Sequence, residues 1–258
     1  MRRRANGRRA NGRPAQARRA YGRHAYGRAL QLLGCALLLL IAAARGADLH
    51  PVAAAWPDTF VGRLEALAVL ETLNAELLSH DSATLTLEHW CDEHRLASSA
   101  RVVAVQVALD KAPTPQQRRE LNVSDTEPVR YRRVRLSCGA AVLSEADNWY
   151  VPGRLTKEMN HQLETTDTPF GKVVQPLHFR RHTLAADLLW QPLPAGWEME
   201  APQRLRNGSR AKATPLAIPS EVLQHRALLL LPDGTPLSEV VETYTGSVLR
   251  FSPQSSPN

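Results

Sequence analysis

The chain of 258 residues is 43% hydrophobic and 22% charged, and it contains 18 prolines and three cysteines. So many prolines, with only 5% aromatic residues, exclude a coiled coil, and three cysteines are too few for a small disulfide scaffold. The formal net charge of +7 comes from ten arginines within residues 1–28, without which the charge falls to −3. The remainder is mildly acidic, which removes the main reason to expect a nucleic-acid-binding protein.

Residues 1–28 form an arginine-rich leader whose composition cannot bury a core, so we predict that it is disordered. An uncharged run of sixteen residues follows at 29–44 and ends at Arg45. This run is shorter than the about 20 residues that a membrane-spanning helix needs. A basic start, a short apolar run and three alanines at 42–44 are typical of a signal peptide, so we predict that residues 29–47 direct export to the periplasm or the medium. An uncleaved membrane anchor and a wrongly assigned start remain open alternatives.

A linker is expected at 48–57, and one folded domain at 58–258. Leucines recur at helical spacing from Leu64 to Leu78, which predicts an amphipathic helix over 59–79 with Asp58 as its cap. A second helix is expected at about 83–95, after a cap at position 81 or 82.

Beyond these helices the apolar residues alternate with polar ones, which predicts strands. We expect strands at 102–107, 129–136, 142–151, 181–190, 222–231 and 236–244, a polar loop at 108–127, a short helix at 155–163 and a turn at 167–171. Asp233-Gly234 between two apolar runs is typical of a hairpin. Helices followed by antiparallel strands with short connections predict an α+β fold with a single antiparallel sheet and flanking helices.

Two cysteines, Cys91 and Cys138, would remain in an exported chain. They either form a disulfide in the oxidising compartment or stay as two buried thiols, and the sequence leaves both open.

Familiar catalytic motifs are missing from the sequence: it has no P-loop, G-x-G-x-x-G, H-E-x-x-H, C-x-x-C or G-x-S-x-G. In the absence of such motifs, the arginines on the predicted strand at 129–136 are the first indication of a functional site. Alternation puts Arg133 and Arg135 on one face, and Arg130 and Arg132 on the other. Val134 shares the face of Arg132, so Arg132 is expected to point toward the core.

Two glutamates on the last predicted strand, Glu239 and Glu242, give the second signal, because their odd spacing places them on opposite faces. A glutamate that points inward beside an inward arginine would indicate a functional site.

Three short motifs, in order over residues 127–245, resemble the chorismate lyase family, enzymes that convert chorismate into 4-hydroxybenzoate and pyruvate. The stretch EPVRYRRVRLSC at 127–138 resembles the family's arginine-bearing strand, and TPFG at 168–171 is similar to its T-P-L-G turn. The hairpin that starts with GTPL at 234–237 and reaches Glu242 is similar to the terminal hairpin that carries an essential glutamate. The resemblance implies a single antiparallel sheet with a ligand buried beneath helical flaps.

The same resemblance implies roles for individual residues. Arg132 would bind a substrate carboxylate, and Arg133 would replace it if the register slipped by one residue. Phe170 would provide an apolar wall, and Glu242 would be the catalytic acid or base. Matching Glu242 needs a one-residue insertion, so Glu239 remains an alternative. Ala83, within Ser-Ala-Thr at 82–84, would stand where the family has a methionine.

Two functions follow from these expectations. The first is an exported, cofactor-free lyase that eliminates pyruvate from chorismate or a similar enol-ether carboxylate. The second is an exported, non-catalytic protein that binds a small aromatic carboxylate. In either case we expect no metal, cofactor or nucleic acid, membrane contact only through an uncleaved leader, and a monomer.

Overall fold

A computed structural model describes residues 56–199 and 214–251 of the chain. The predicted leader at 1–28 and signal segment at 29–47 lie outside these residues, as does most of the linker. Within the described ranges, no helix combines the length and the apolar composition needed to cross a membrane.

Six strands form one antiparallel sheet with the spatial order β1-β2-β3-β6-β5-β4. They are β1 (Val102–Val107), β2 (Arg130–Cys138), β3 (Ala141–Tyr150), β4 (Arg180–Leu188), β5 (Glu221–Leu230) and β6 (Pro236–Thr245). Tight turns join β2 to β3 and β5 to β6, where Gly139 and Gly234 adopt positive φ angles of 55° and 86°. The predicted α+β fold with a single antiparallel sheet is confirmed.

Within the part of the chain that the structure describes, five α-helices accompany the sheet: α1 (Phe60–Ser79), α2 (Ala83–Glu93), α3 (Pro115–Glu120), α4 (Lys157–Thr165) and α5 (Phe170–Val174). The short helices α3 and α5 lie where the sequence predicted a loop and a turn. Helix α3 forms because Thr114 and Gln117 make a reciprocal capping box and Pro115 occupies the first turn. Thr59 rather than Asp58 caps α1, since the Thr59 side chain accepts a hydrogen bond from the Gly62 amide while Asp58 pairs with Arg63.

Helices α1 and α2 cover one face of the sheet, here called the inner face. Leu70, Leu73 and Leu77 of α1 and Leu87 and Trp90 of α2 are at most 1% exposed, and they share one apolar cluster with sheet residues. The inner-face residues used below are Arg132, Val134, Ala146, Asn148, Val240 and Glu242. The two helices therefore form the roof over this set of side chains.

The opposite, outer face carries Tyr131, Arg133 and Arg135 of β2 and their neighbours on β3. Helix α3 and the residue after it cover part of this face, because Leu121 packs in a cluster with Trp149 and Leu228.

Cys91 and Cys138 form a disulfide with a Cα–Cα distance of 6.5 Å. The bond joins the second half of α2 to the end of β2, so it fixes part of the helical roof to the sheet. The structure thereby decides between the two alternatives that the sequence left open.

Candidate functional site

A small cavity lies between the inner face of the sheet and the N-terminal ends of α2 and α5, with a volume of about 40 Å³. This space holds roughly three water molecules, since each needs about 10–15 Å³ of cavity volume. Apolar walls and four strongly polar side chains line it: Val134, Phe170, Leu229 and Val240, and Arg132, Asn148, Arg181 and Glu242. Few polar groups on apolar walls are typical of a small-molecule site.

Strand register brings these polar groups together. Arg132 on β2 lies directly opposite Asn148 on β3, and Ala146, two residues before Asn148, lies opposite Glu242 on β6. Because side chains alternate between faces, residues that face each other across strands share one side of the sheet. Three strands thus contribute one polar group each to a single patch.

Arg132 is a buried guanidinium, only 6% exposed. Its Nη2 donates one long hydrogen bond of 3.3 Å to the Thr168 carbonyl, and its Nε has no partner among the described residues. Burial lowers the pKa of Arg132 below its ordinary value, and nearby Tyr150 only partly opposes this shift. Of the described carboxylates, none forms an ion pair with it.

Arg181 of β4 is the second buried guanidinium, and its charge is compensated. Its Nη2 donates to Glu242 Oε2 at 2.6 Å, and the Tyr244 hydroxyl donates to the same oxygen at 3.1 Å. Burial disfavours the charged form of Arg181, but the adjacent Glu242 outweighs this cost, so the pKa of Arg181 lies above its ordinary value. Burial likewise raises the pKa of Tyr244, which keeps its hydroxyl protonated. The patch therefore carries one net positive charge, that of Arg132.

His225 of β5 lies opposite Glu242 and is fully buried. Its Nε2 is 2.8 Å from Asn74 Oδ1 of α1, so this nitrogen carries a proton and donates it, while Nδ1 has no partner among the described residues. Burial, together with the charge of Arg181, lowers the pKa of His225 to about 4. The ring is thus neutral at pH 7 and adds no charge to the patch.

Two helix starts close the cavity from above. Ala83 and Thr84 begin α2 after the Ser82 cap, and Phe170 and Gly171 begin α5. A Cβ atom at Gly171 would lie 3.3 Å from Ser82 Oγ, so the absence of a side chain allows the two helix starts to approach each other.

Of the residues singled out from the sequence, the structure brings Arg132, Phe170, Glu242 and Ala83 together around this cavity. Arg133 is not among them, which corrects its inclusion as a substrate-binding residue. It lies on the outer face, where its guanidinium donates to Glu145 at 2.6 Å and to Asp147 at 3.1 Å. The hydrogen bond with Glu145 raises the pKa of Arg133, because the charged form is paired. Because side chains alternate between the two faces of β2, Arg132 lies on the inner face and Arg133 on the outer face.

Glu239, the alternative to Glu242, also lies on the outer face and is 1% exposed. Gln117 of α3 donates to its Oε1 at 3.4 Å and Arg226 lies 3.5 Å from the same oxygen, while its Oε2 has no partner among the described residues. Burial and then the nearby Glu120 carboxylate raise the pKa of Glu239 to about 7. It therefore belongs to the contact between α3 and the sheet and does not line the cavity.

Asn148 and Arg181, which line the cavity, and His225, which lies opposite Glu242, were missed from the sequence. Alternation on the strand at 142–151 could have placed Asn148 inward, but a single asparagine on a strand carries no chemical signal of its own. Arg181 stands beside Arg180, and only the register of β4 against β5 separates the inward arginine from the exposed one.

No family model matches this sequence. A curated relative is the uncharacterized protein y4mC of Sinorhizobium fredii (strain NBRC 101917 / NGR234), which is 53% identical over 198 residues, or 76% of this chain and 81% of the relative. The fold is α+β, and a small cavity with apolar walls and four strongly polar side chains lies between the sheet and the starts of α2 and α5. The chain belongs to the family of y4mC.

Several solved structures similar to this chain carry the name of a transcriptional regulator or of its ligand-binding domain. PhnF from Mycobacterium smegmatis is 14% identical, with 70% of this chain and 71% of that chain covered and a TM-score of 0.43. The ligand-binding domain of a putative GntR-family transcriptional regulator from Bordetella bronchiseptica is 16% identical, with 61% and 91% covered and a TM-score of 0.37.

The assignment to the chorismate lyase family is therefore wrong. The curated relative is uncharacterized, and several of the similar solved structures are named as transcriptional regulators or as a ligand-binding domain of one. The short motifs that suggested the lyases coincide with a strand, a helix start and a hairpin, elements that depend on the fold.

Proposed function

We propose that this protein binds a small organic monocarboxylate in the cavity, with Arg132 as the residue that holds the carboxylate. The observation that carries the proposal is the guanidinium of Arg132, a residue only 6% exposed, which has no carboxylate partner among the described residues. Burying a charge without a counter-charge costs several kcal/mol. A bound carboxylate would supply that counter-charge in the bidentate geometry that guanidinium groups favour.

The net charge of the patch supports one negative charge on the ligand. Glu242 compensates Arg181 at 2.6 Å, which leaves Arg132 as the uncompensated cation among the cavity residues that the structure describes. A monoanion neutralises the patch, whereas a dianion would bury one charge without a partner. The 40 Å³ of space also favours a ligand of few heavy atoms.

Calorimetric titration of the purified chain with acetate, propionate and benzoate at pH 7 tests this proposal. We expect binding of at least one of the three and no comparable heat with chloride. The Arg132→Leu variant should lose binding, while Arg135→Leu should keep it, since Arg135 lies on the same strand but pairs with Glu145 on the outer face. Failure of all three carboxylates to bind, or equal binding by Arg132→Leu, would overturn the proposal.

The second candidate is the cofactor-free elimination of pyruvate from chorismate or a similar enol ether. One observation favours it: Glu242 lines the same cavity as Arg132, and Oε2 accepts both of its hydrogen bonds from Arg181 and Tyr244, so Oε1 is left to exchange a proton. Chorismate carries two carboxylates, however, and the patch has one uncompensated cation. Incubation of the chain and of its Glu242→Ala variant with chorismate, followed by chromatography for 4-hydroxybenzoate and pyruvate, tests this candidate.

Export remains part of the proposal. The sequence of the leader supports it, and so does the Cys91–Cys138 disulfide, because such bonds persist mainly in oxidising compartments. Fractionation of cells that express the tagged chain is the direct test, and recovery of a reduced chain from the cytoplasm would contradict it.

A further inference from the structure

We infer that the ligand is a 2-hydroxy carboxylate, and that Asn148 recognises its hydroxyl group. This inference rests on the proposed function, because it assigns a second contact to a ligand whose carboxylate Arg132 holds. It starts from two buried polar atoms without partners among the described residues, one a donor and one an acceptor, whose residues line the same cavity.

Asn148 is 4% exposed, and its Oδ1 has no hydrogen-bond partner within the described part of the chain. An unsatisfied buried acceptor costs about 1–3 kcal/mol, so native proteins rarely keep one without a reason. The Nε atom of Arg132 is a buried hydrogen-bond donor that also has no partner within the described part of the chain. Both residues line the same cavity.

The two residues are direct partners across β2 and β3. Directly opposed side chains on one face of an antiparallel pair begin about 4.5–5.5 Å apart at their Cβ atoms. We therefore place the anionic group and the hydrogen-bond donor of the inferred ligand close together, on adjacent carbon atoms. A carboxylate with a hydroxyl on the adjacent carbon has this arrangement. A 2-keto acid does not, because its keto oxygen could accept from Asn148 Nδ2 but cannot donate to Oδ1.

Charge distinguishes a hydroxyl from an ammonium group as the donor. A 2-amino acid is a zwitterion with no net charge, so it would leave the positive charge of Arg132 uncompensated and add a second cation near Arg181. A hydroxy acid brings one negative charge and a neutral donor. Glu242 offers another acceptor in the cavity, but it lies on β6, one strand further from Arg132.

Four three-carbon acids of nearly equal size provide the test: lactate as both enantiomers, propionate, pyruvate and alanine. Calorimetric titration of the purified chain should give a dissociation constant for one lactate enantiomer at least about tenfold below that for propionate, pyruvate and alanine, because one unmade buried hydrogen bond is worth this factor. Propionate that binds as tightly as lactate would overturn the hydroxyl contact and leave the carboxylate proposal standing. If none of the four acids binds, the inferred ligand class is wrong, and the carboxylate proposal then depends on the acetate and benzoate titrations.

Two substitutions assign the contact to Asn148. Asn148→Leu, similar in size but without an acceptor, should bind lactate and propionate with equal affinity. Asn148→Asp should lose both ligands, since its carboxylate would pair with Arg132 from the opposite strand. A lactate preference that survives in Asn148→Leu would place the hydroxyl elsewhere, with Glu242 next to be tested, and would overturn the assignment. The titrations of the unsubstituted chain test the ligand class even if a variant does not fold.

Discussion

Glu239 and Glu242 lie three residues apart on β6, and the sheet holds them in opposite surroundings. Glu242 accepts a 2.6 Å hydrogen bond from Arg181 on the inner face, next to the cavity. Glu239 lies under α3 on the outer face, and it shares Arg226 with Glu120, whose carboxylate oxygens are 2.9 and 3.1 Å from that guanidinium. Two carboxylates thus compete for one arginine at a buried contact, which makes the attachment of α3 sensitive to pH.

Glu239 should make folding less favourable as the pH rises. Its folded pKa of about 7 lies above the ordinary value of 4.5, so the folded chain holds a proton that the unfolded chain releases between these values. The free energy of unfolding therefore declines from about pH 4.5 to about pH 7, by on the order of 2–3 kcal/mol, and stays level above. Glu239→Gln should lack this decline, as urea unfolding of both proteins at pH 5, 6, 7 and 8 will determine.

The difference between the two proteins isolates Glu239 from other groups that titrate in this range. Glu65→Gln, a matched change at an exposed glutamate of α1, serves as the control. A difference between the natural chain and Glu239→Gln that stays constant from pH 5 to pH 8 would contradict the prediction.

His225 should have the opposite effect on acidification. The pKa of His225 in the folded chain is about 4, which is below its ordinary value of 6.5. Between these two pH values His225 is protonated in the unfolded chain but not in the folded chain. The contribution of His225 to stability is present above pH 6.5 and is lost as the pH falls toward 4, by about 3 kcal/mol. His225→Gln should lose less stability between pH 7 and pH 4.5 than the natural chain, measured by urea unfolding. His89→Gln is the control, because the His89 side chain is 71% exposed, and an equal loss in all three proteins would refute the prediction.

The two buried arginines should respond differently to substitution by leucine. Arg132→Leu removes an unpaired buried charge, so we expect the free energy of unfolding to stay the same or to rise by about 1 kcal/mol. Arg181→Leu leaves Glu242 buried, with a side chain 8% exposed and no arginine, and should cost about 3–5 kcal/mol. Denaturant unfolding of both variants without ligand measures the contrast, and a large loss in Arg132→Leu would mean that Arg132 has a structural role.

The disulfide should contribute substantially to stability. Cys91 and Cys138 are 47 residues apart, and closing a loop of that size in the unfolded chain corresponds to about 4 kcal/mol in the chain-entropy account. Unfolding of the natural chain with and without dithiothreitol, beside a Cys91→Ala/Cys138→Ala variant, measures this contribution. The reduced chain and the variant should agree, and no change on reduction would show that the bond is absent in solution.

Much of the fold could be predicted from the sequence because the periodicity of apolar residues is a local property. The leucines of α1 and the alternation in β2 and β3 gave helix and strand positions close to those observed. Helices α3 and α5 were missed, because five or six residues are too few to show a period, and their capping residues also occur in turns.

The sequence alone also determined which arginine of β2 points inward, since alternation with Val134 and Leu136 already favoured Arg132 over Arg133. Only the tertiary structure decided what Arg132 meets there. Asn148 and Arg181 come to the cavity from β3 and β4, and His225 of β5 lies opposite Glu242. Their positions depend on the register between strands far apart in the chain. Register is set by the packing of the whole inner face beneath α1 and α2, and a shift of one residue would turn each of these side chains to the other side of the sheet.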